Sequence, residues 1–270
     1  MTDWSTGNCE TNGINLHYTR TGGSKSPLIL LHGLTANGAC WAALDHAIEG
    51  DYDVIMPDAR GHGQSSVPDY GYRYEDLAND VVGLIEALRL SPPILIGHSM
   101  GGMTAAVVAS RNAELLRCLI LADPTFLSPK MQREIRDSDV ADQHRRYLNM
   151  SLGEVVAEAR IRHPHRSLDT IELIARARLQ TSLGAFDVLT PPNPDYRQVM
   201  SAIEVPCLLV IGGSAGVVSP EVAAELQRLN PRLQVEQISE AGHGLHYDQP
   251  ERLAVVVKSF LRSIGTVIVP

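Results

Sequence analysis

Short, mostly unbroken apolar runs alternate along this chain with longer segments whose apolar residues recur at helical spacing. The runs cover 14–19, 28–31, 54–56, 94–96, 119–121, 208–211 and 235–238. Unbroken apolarity is the pattern of strands covered on both faces, whereas strict alternation marks a sheet with one wet face. Between the runs, Leu77, Val81, Ile85 and Leu88 share one helical stripe, as do Leu253, Val257, Phe260 and Ile264. Strand, helix, strand alternation with short connections predicts an α/β fold, a doubly wound and mostly parallel sheet. Such sheets carry their chemistry at the carboxyl ends of the strands. Ahead of the first run, Thr11-Asn12-Gly13 is a hairpin turn signal, so the sheet edge is expected to be antiparallel.

One interval breaks the rhythm. From Pro124 to Ala202 no strand is predicted, yet Leu168, Ile171, Ala175 and Leu179 keep helical spacing. A structureless loop of that length is improbable in a compact domain, so 124–202 reads as a helical insertion into a core made of 1–123 and 203–270. The insertion is rich in arginine (Arg133, Arg136, Arg145, Arg146, Arg160, Arg162, Arg166, Arg176 and Arg178), read mostly as a solvated face offsetting nearby acids.

Composition removes several classes. With 44% hydrophobic and 20% charged residues the 270-residue chain is neither disordered nor fibrous. Its net charge of −8 repels phosphate backbones, so neither nucleic acid nor an anionic membrane is expected as a partner. No apolar run approaches the roughly 20 residues of a bilayer span. Residues 1–13 show no basic segment followed by an apolar one, as a secretory leader would. Cys9, Cys40, Cys118 and Cys207 are scattered and have no metal-type spacing, which suits small buried thiols in a reducing compartment. A cytoplasmic protein is expected. The histidines form no convergent ligand pattern, so neither metal nor cofactor is expected.

The chemistry concentrates after the run at 94–96. There Gly97-His98-Ser99-Met100-Gly101-Gly102 leads into an Ala/Val-rich helical segment, which is G-x-S-x-G with a strand before it and a helix after it. The glycines allow a sharp strand-to-helix turn that holds the Ser99 hydroxyl clear of the sheet, at the positive end of the following helix.

Four motifs in chain order make the sequence resemble the α/β-hydrolase fold superfamily along nearly its whole length. They are Leu30-Leu31-His32-Gly33-Leu34, Pro57-Asp58-Ala59-Arg60-Gly61-His62-Gly63-Gln64-Ser65, the Gly97–Gly102 elbow, and Ala241-Gly242-His243-Gly244-Leu245-His246-Tyr247-Asp248-Gln249-Pro250-Glu251. The resemblance implies Ser99 as nucleophile and His243 as its base, with backbone N–H groups of Leu34 and Met100 forming an oxyanion hole. His246 shares the loop but not the position the family gives its base. His32, His62 and His98 sit within structural signatures and are expected to shape loops. Asp58 is expected to stabilise its own loop, and Asp248, Pro250 and Glu251 to form the entry to the last helix.

The third triad member departs from the family pattern. An acid is expected after strand 7, about position 215, where the chain has Ala215 and then Gly216. Either the acid has moved to the end of strand 6, where Leu121-Ala122-Asp123-Pro124 supplies Asp123, or it has been lost. Asp123 has a competing role as a turn initiator before proline. Glu221 is expected in the first turn of a helix, complementing its dipole.

An inserted segment between strands 6 and 7 is the family's usual place for a cap over the active site, and its Leu, Ile, Val and Ala content favours an aliphatic acyl group. The expected activity is hydrolysis of a small-molecule carboxylic ester or lactone through a serine acyl-enzyme. The segment Gly216-Val217-Val218-Ser219-Pro220-Glu221-Val222-Ala223 is also similar to a subgroup that includes serine-dependent acyl-homoserine lactonases. A cofactor-independent dioxygenase, a carbon–carbon bond hydrolase, lyases and haloperoxidases on the same scaffold remain open. So does a ligand receptor built on a degenerate hydrolase.

Overall fold

The computed structural model describes residues 4–213 and 216–265. Eight strands form one sheet: β1 (Ser5–Thr11), β2 (Ile14–Arg20), β3 (Ser26–Leu31), β4 (Tyr52–Pro57), β5 (Ile94–His98), β6 (Cys118–Ala122), β7 (Cys207–Ile211) and β8 (Leu233–Gln237). Their spatial order is β1-β2-β4-β3-β5-β6-β7-β8. β1 and β2 pair antiparallel, as do β2 and β4, and every later pair is parallel. The fold is therefore the expected doubly wound α/β sheet with an antiparallel edge.

That edge rests on Asn12 (φ 46°) and Gly13 (φ 75°), both left-handed at the turn between β1 and β2. Two consecutive left-handed residues match the twist of a two-residue hairpin. β1 itself was not among the apolar runs because it is an edge strand of polar composition, Ser-Thr-Gly-Asn-Cys-Glu-Thr, with most of its side chains exposed or half-buried. β8 begins two residues before the predicted run: Leu233 is buried at its start, and Ile238, beyond its end, is held by its N–H on Ile211 O at 2.9 Å.

The central strands divide their side chains between two cores, as the two-residue strand period requires. Ile29, Leu31, Ile55, Leu95, Leu119, Leu121, Leu209 and Ile211 enter one cluster. Leu28, Leu30, Val54, Met56, Ile94, Ile96, Ile120, Leu208 and Val210 enter the other. Helix α1 (Ala42–Ile48) packs on the second face. Helices α2 (Tyr74–Ala87) and α3 (Met100–Arg111) cover the first.

Between β6 and β7 lie α4 (Pro129–Arg136), α5 (Val140–Leu148), α6 (Leu152–Arg162), α7 (Leu168–Leu179) and α8 (Tyr196–Ser201). Ser128, Ser151 and Ser167 each accept a hydrogen bond from a first-turn N–H, which fixes where α4, α6 and α7 begin. Ala177 of α7 packs against Ala36 and Cys40, and the Asn37 side-chain amide donates to Gln180 Oε1 at 2.9 Å. The segment is thus fastened over the loop that follows β3. Helices α9 (Pro220–Leu229), α10 (Leu245–Asp248) and α11 (Pro250–Gly265) complete the chain, with Leu253, Val257 and Phe260 of α11 buried in the second core. Among the described residues no helix is long and apolar enough to cross a membrane.

Candidate active site

The turn after β5 places Ser99 at φ 53° and ψ −117°, a strained conformation for a residue with a side chain. It persists because the neighbouring backbones leave no alternative room. A Cβ on Gly97 would overlap the Gly101 carbonyl, and one on Gly101 would overlap the Leu31 carbonyl. α3 starts at Met100, so the Met100 N–H has no helical acceptor and is free to face an anion. Leu34, on the loop after β3, lines the same cavity as Ser99.

His243, on the loop between β8 and α10, reaches Ser99. Its Nε2 lies 2.9 Å from Ser99 Oγ, and its Nδ1 lies 2.6 Å from Asp123 Oδ2. A carboxylate can only accept, so Nδ1 carries the proton and the Ser99 hydroxyl donates to Nε2. Thr125 Oγ1 stands 3.3 Å from Ser99 Oγ, a neighbour with no signal in the sequence pattern.

Asp123 follows β6 immediately and is fully buried. Besides His243, its carboxylate accepts from the Val217 N–H (2.8 Å to Oδ2) and the Val218 N–H (2.9 Å to Oδ1). The chain after β7 therefore wraps round the β6 carboxylate, and a Cβ on Gly216 would lie 3.3 Å from Asp123 Oδ1. Position 215, where the family pattern expects an acid, lies outside the described residues. Asp123 sits at φ 42°, and its N–H donates to the Val210 carbonyl of β7 at 2.9 Å.

The other histidines serve the scaffold. His98 Nε2 donates to the His243 carbonyl at 2.8 Å and so braces the loop that carries it. Burial pushes the His98 ring down to about 3, with repulsion from His243 adding to it, so it stays neutral. His32 bridges the Gly33 carbonyl and the Ala59 N–H, and burial lowers it to about 4. His62, pushed down to about 3 by burial, donates to the Arg60 carbonyl. His246 is buried against Trp41, with ring centroids 4.4 Å apart, and does not reach Ser99. Asp58 accepts from the Gly38 and Gln64 N–H groups and from His17, which leaves it a loop organiser. Asp248 takes Arg166 Nε at 2.7 Å and the Gly242 N–H at 3.3 Å, steadying the His243 loop from its far end. Glu221 lies exposed in the first turn of α9, away from the trio.

A cavity of about 490 Å³ opens over the serine. Leu34, Ala36, Ser99 and His243 from the core line it together with Ile174 and Arg178 of α7. Its size falls in the range of small-molecule sites, about 300–1,000 Å³. A serine hydroxyl and an imidazole thus line one pocket, with a buried carboxylate hydrogen-bonded behind the imidazole.

Comparison with known proteins agrees with the fold. The model of a family described as alpha/beta hydrolase fold matches residues 26–250. The N-formylmaleamate deformylase of Pseudomonas putida is 30% identical over 266 residues, covering 94% of this chain and 96% of the relative. The mouse sn-1-specific diacylglycerol lipase is 29% identical, covering 87% and 80% respectively. The crystal structure of E-2-(acetamidomethylene)succinate hydrolase superposes with a TM-score of 0.84 at 25% identity, covering 96% of this chain and 99% of that one.

Proposed function

The chain belongs to the α/β-hydrolase fold family and is a hydrolase, and on that premise we propose that it cleaves carboxylic esters or lactones through an acyl-enzyme on Ser99. The observation that carries the reading is the unbroken relay from Ser99 Oγ to His243 Nε2 and from His243 Nδ1 to Asp123. Ser99 Oγ attacks the carbonyl carbon while its proton passes to Nε2. The oxyanion so formed is received by the N–H groups of Leu34 and Met100. Collapse expels the alcohol, which takes the proton back from His243. Water then attacks the acyl carbon, with His243 removing its proton, and Ser99 is released. Asp123 holds the ring in the tautomer with Nε2 free and stabilises the imidazolium.

Residues 124–202 act as a cap in this reading, since α7 contributes Ile174 to the cavity roof. Leu34, Ala36 and Ile174 favour an aliphatic acyl group. The receptor alternative depends on a missing acid, and the 2.6 Å contact between His243 Nδ1 and Asp123 supports an acid supplied from β6 instead. Hydrolysis of a small amide is the second reading, favoured by relatives named for a deformylase and for an acetamidomethylene substrate. Four free thiols, three of them buried, support cytoplasmic residence.

A fluorophosphonate probe combined with a short-chain nitrophenyl ester tests the proposal. Stoichiometric labelling at Ser99 with ester turnover is expected. An unlabelled serine in folded protein would defeat it.

A further inference from the structure

The arginines of 124–202 do not share one role. Seven are exposed and Arg197 is half-buried against Glu225 at 2.6 Å, but Arg166 and Arg178, also half-buried, line the cavity above Ser99. Arg166 is neutralised by Asp248 at 2.7 Å. Arg178 has no such partner: among the described residues no carboxylate lies within ion-pairing distance of it. One side of its guanidinium lies 4.7 Å from the Tyr147 ring centroid. That ring is also approached by Arg146 at 4.7 Å and Arg162 at 5.7 Å. The one carboxylate near these three is Glu158, and it is already taken. It accepts from Arg146 at 2.7 Å, from the Tyr147 hydroxyl at 3.0 Å and, at still closer range, from Arg162. Of these four guanidiniums, Arg146 and Arg162 pair with Glu158 and Arg166 with Asp248, which leaves Arg178 unpaired, in a protein whose net charge is −8.

Burial and repulsion from Arg162 hold Arg178 below its ordinary value, as expected of a cation short of counter-charge. His163, lining the same cavity, is lowered by burial and by Arg166, which favours its neutral form. A partly desolvated guanidinium without a partner is costly unless something anionic completes it. Its planar fork fits a carboxylate, which it can receive through two parallel N–H bonds.

We propose that Arg178 is a specificity residue that receives a free carboxylate on the substrate, so that the preferred substrate is a monoanionic half-ester rather than a neutral ester. The proposal rests on the Ser99 hydrolase reading only for where the scissile carbonyl lies. The carboxylate would extend from the acyl group toward α7 while the carbonyl sits at Ser99.

The test compares monoethyl glutarate with ethyl pentanoate, which have equal acyl length and differ in the terminal carboxylate, by pH-stat. Wild-type protein is expected to prefer the half-ester in kcat/KM. Arg178→Gln should lower the ratio of half-ester to neutral-ester kcat/KM by about 30- to 100-fold, the worth of a charge-assisted pair. Arg178→Lys should recover part of that ratio. Arg176→Gln, on the same helix but exposed and paired with Glu172, should leave it unchanged. Preference for the neutral ester, or a ratio that Arg178→Gln moves by less than about threefold, would overturn the proposal. Calorimetric binding of glutarate to Ser99→Ala protein, with and without Arg178→Gln, separates this inference from the hydrolase reading. If neither ester is turned over, Arg178-dependent glutarate binding sustains the carboxylate site and retires the ester reading. Binding that is absent, or indifferent to Arg178, overturns the carboxylate site.

Discussion

Replacing Asp123 by asparagine changes one oxygen to an amide nitrogen, and the surrounding donors dictate which one. Oδ1 accepts from Val217 and Val218, at 3.1 and 2.9 Å, while Oδ2 accepts from Val217 at 2.8 Å and from His243 Nδ1 at 2.6 Å. An amide nitrogen on the Oδ1 side would face two N–H donors, which is repulsive and leaves buried donors unpaired. The amide oxygen therefore takes that side, keeping Val217 at 3.1 Å and Val218 at 2.9 Å, and the NH2 group faces His243 Nδ1 at the loss of the 2.8 Å Val217 contact. Nδ1 can then only accept, so the ring proton moves to Nε2 and points at Ser99 Oγ across the 2.9 Å contact. In that tautomer the imidazole cannot take the serine proton. The loss is expected to be about 10⁴ in kcat, or about 5.5 kcal/mol of barrier. Two backbone bonds to position 123 survive, so the fold should persist. Turnover of a nitrophenyl ester and the rate of fluorophosphonate labelling should fall together, with the circular dichroism spectrum unchanged. Activity within about tenfold of wild type in Asp123→Asn would show that Asp123 does not orient His243.

Two further predictions concern stability. Gly97→Ala drives a Cβ into the Gly101 carbonyl, where backbone cannot yield, and should lower stability by at least about 3 kcal/mol and abolish Ser99 labelling. An unchanged urea midpoint with full labelling would refute it. His32, His62, His98 and His246 are buried and held below their ordinary value chiefly by burial, so the unfolded chain binds more protons as pH falls below about 6.5. Buried Asp45, pushed up to about 7 by burial and by Glu49, acts in the opposite sense with one proton. Four histidines outweigh one carboxyl, so the balance is a loss of stability as pH falls through about 6.5 toward about 5. A melting temperature that is flat between about pH 7 and pH 5 would contradict this assignment.

What could be read from the sequence follows from where physical constraints are local. Unbroken runs such as Leu28 to Leu31 mark strands with two covered faces, and the glycines flanking Ser99 mark a turn only small residues can make. β1 escaped because a polar edge strand earns its place through backbone pairing with β2 rather than through apolar burial. The acid was legible only as a pair of options. Asp123-Pro124 also reads as a turn, and its role depends on Val217, Val218 and His243 arriving from distant segments. Arg178 was hidden for the same reason. Among ten arginines in one segment, helical spacing does not tell which one lies over the cavity without a carboxylate partner. His98 shows the converse, a signature histidine whose bond to the His243 carbonyl makes it a brace.

The acyl-enzyme itself offers the most direct test of the account. Rapid mixing with a nitrophenyl ester, quenched in acid and digested, should yield a peptide carrying the acyl group on Ser99, matched by a stoichiometric burst of nitrophenolate and absent from Ser99→Ala protein. An active enzyme whose acyl group is found on another residue, or on none, would contradict it.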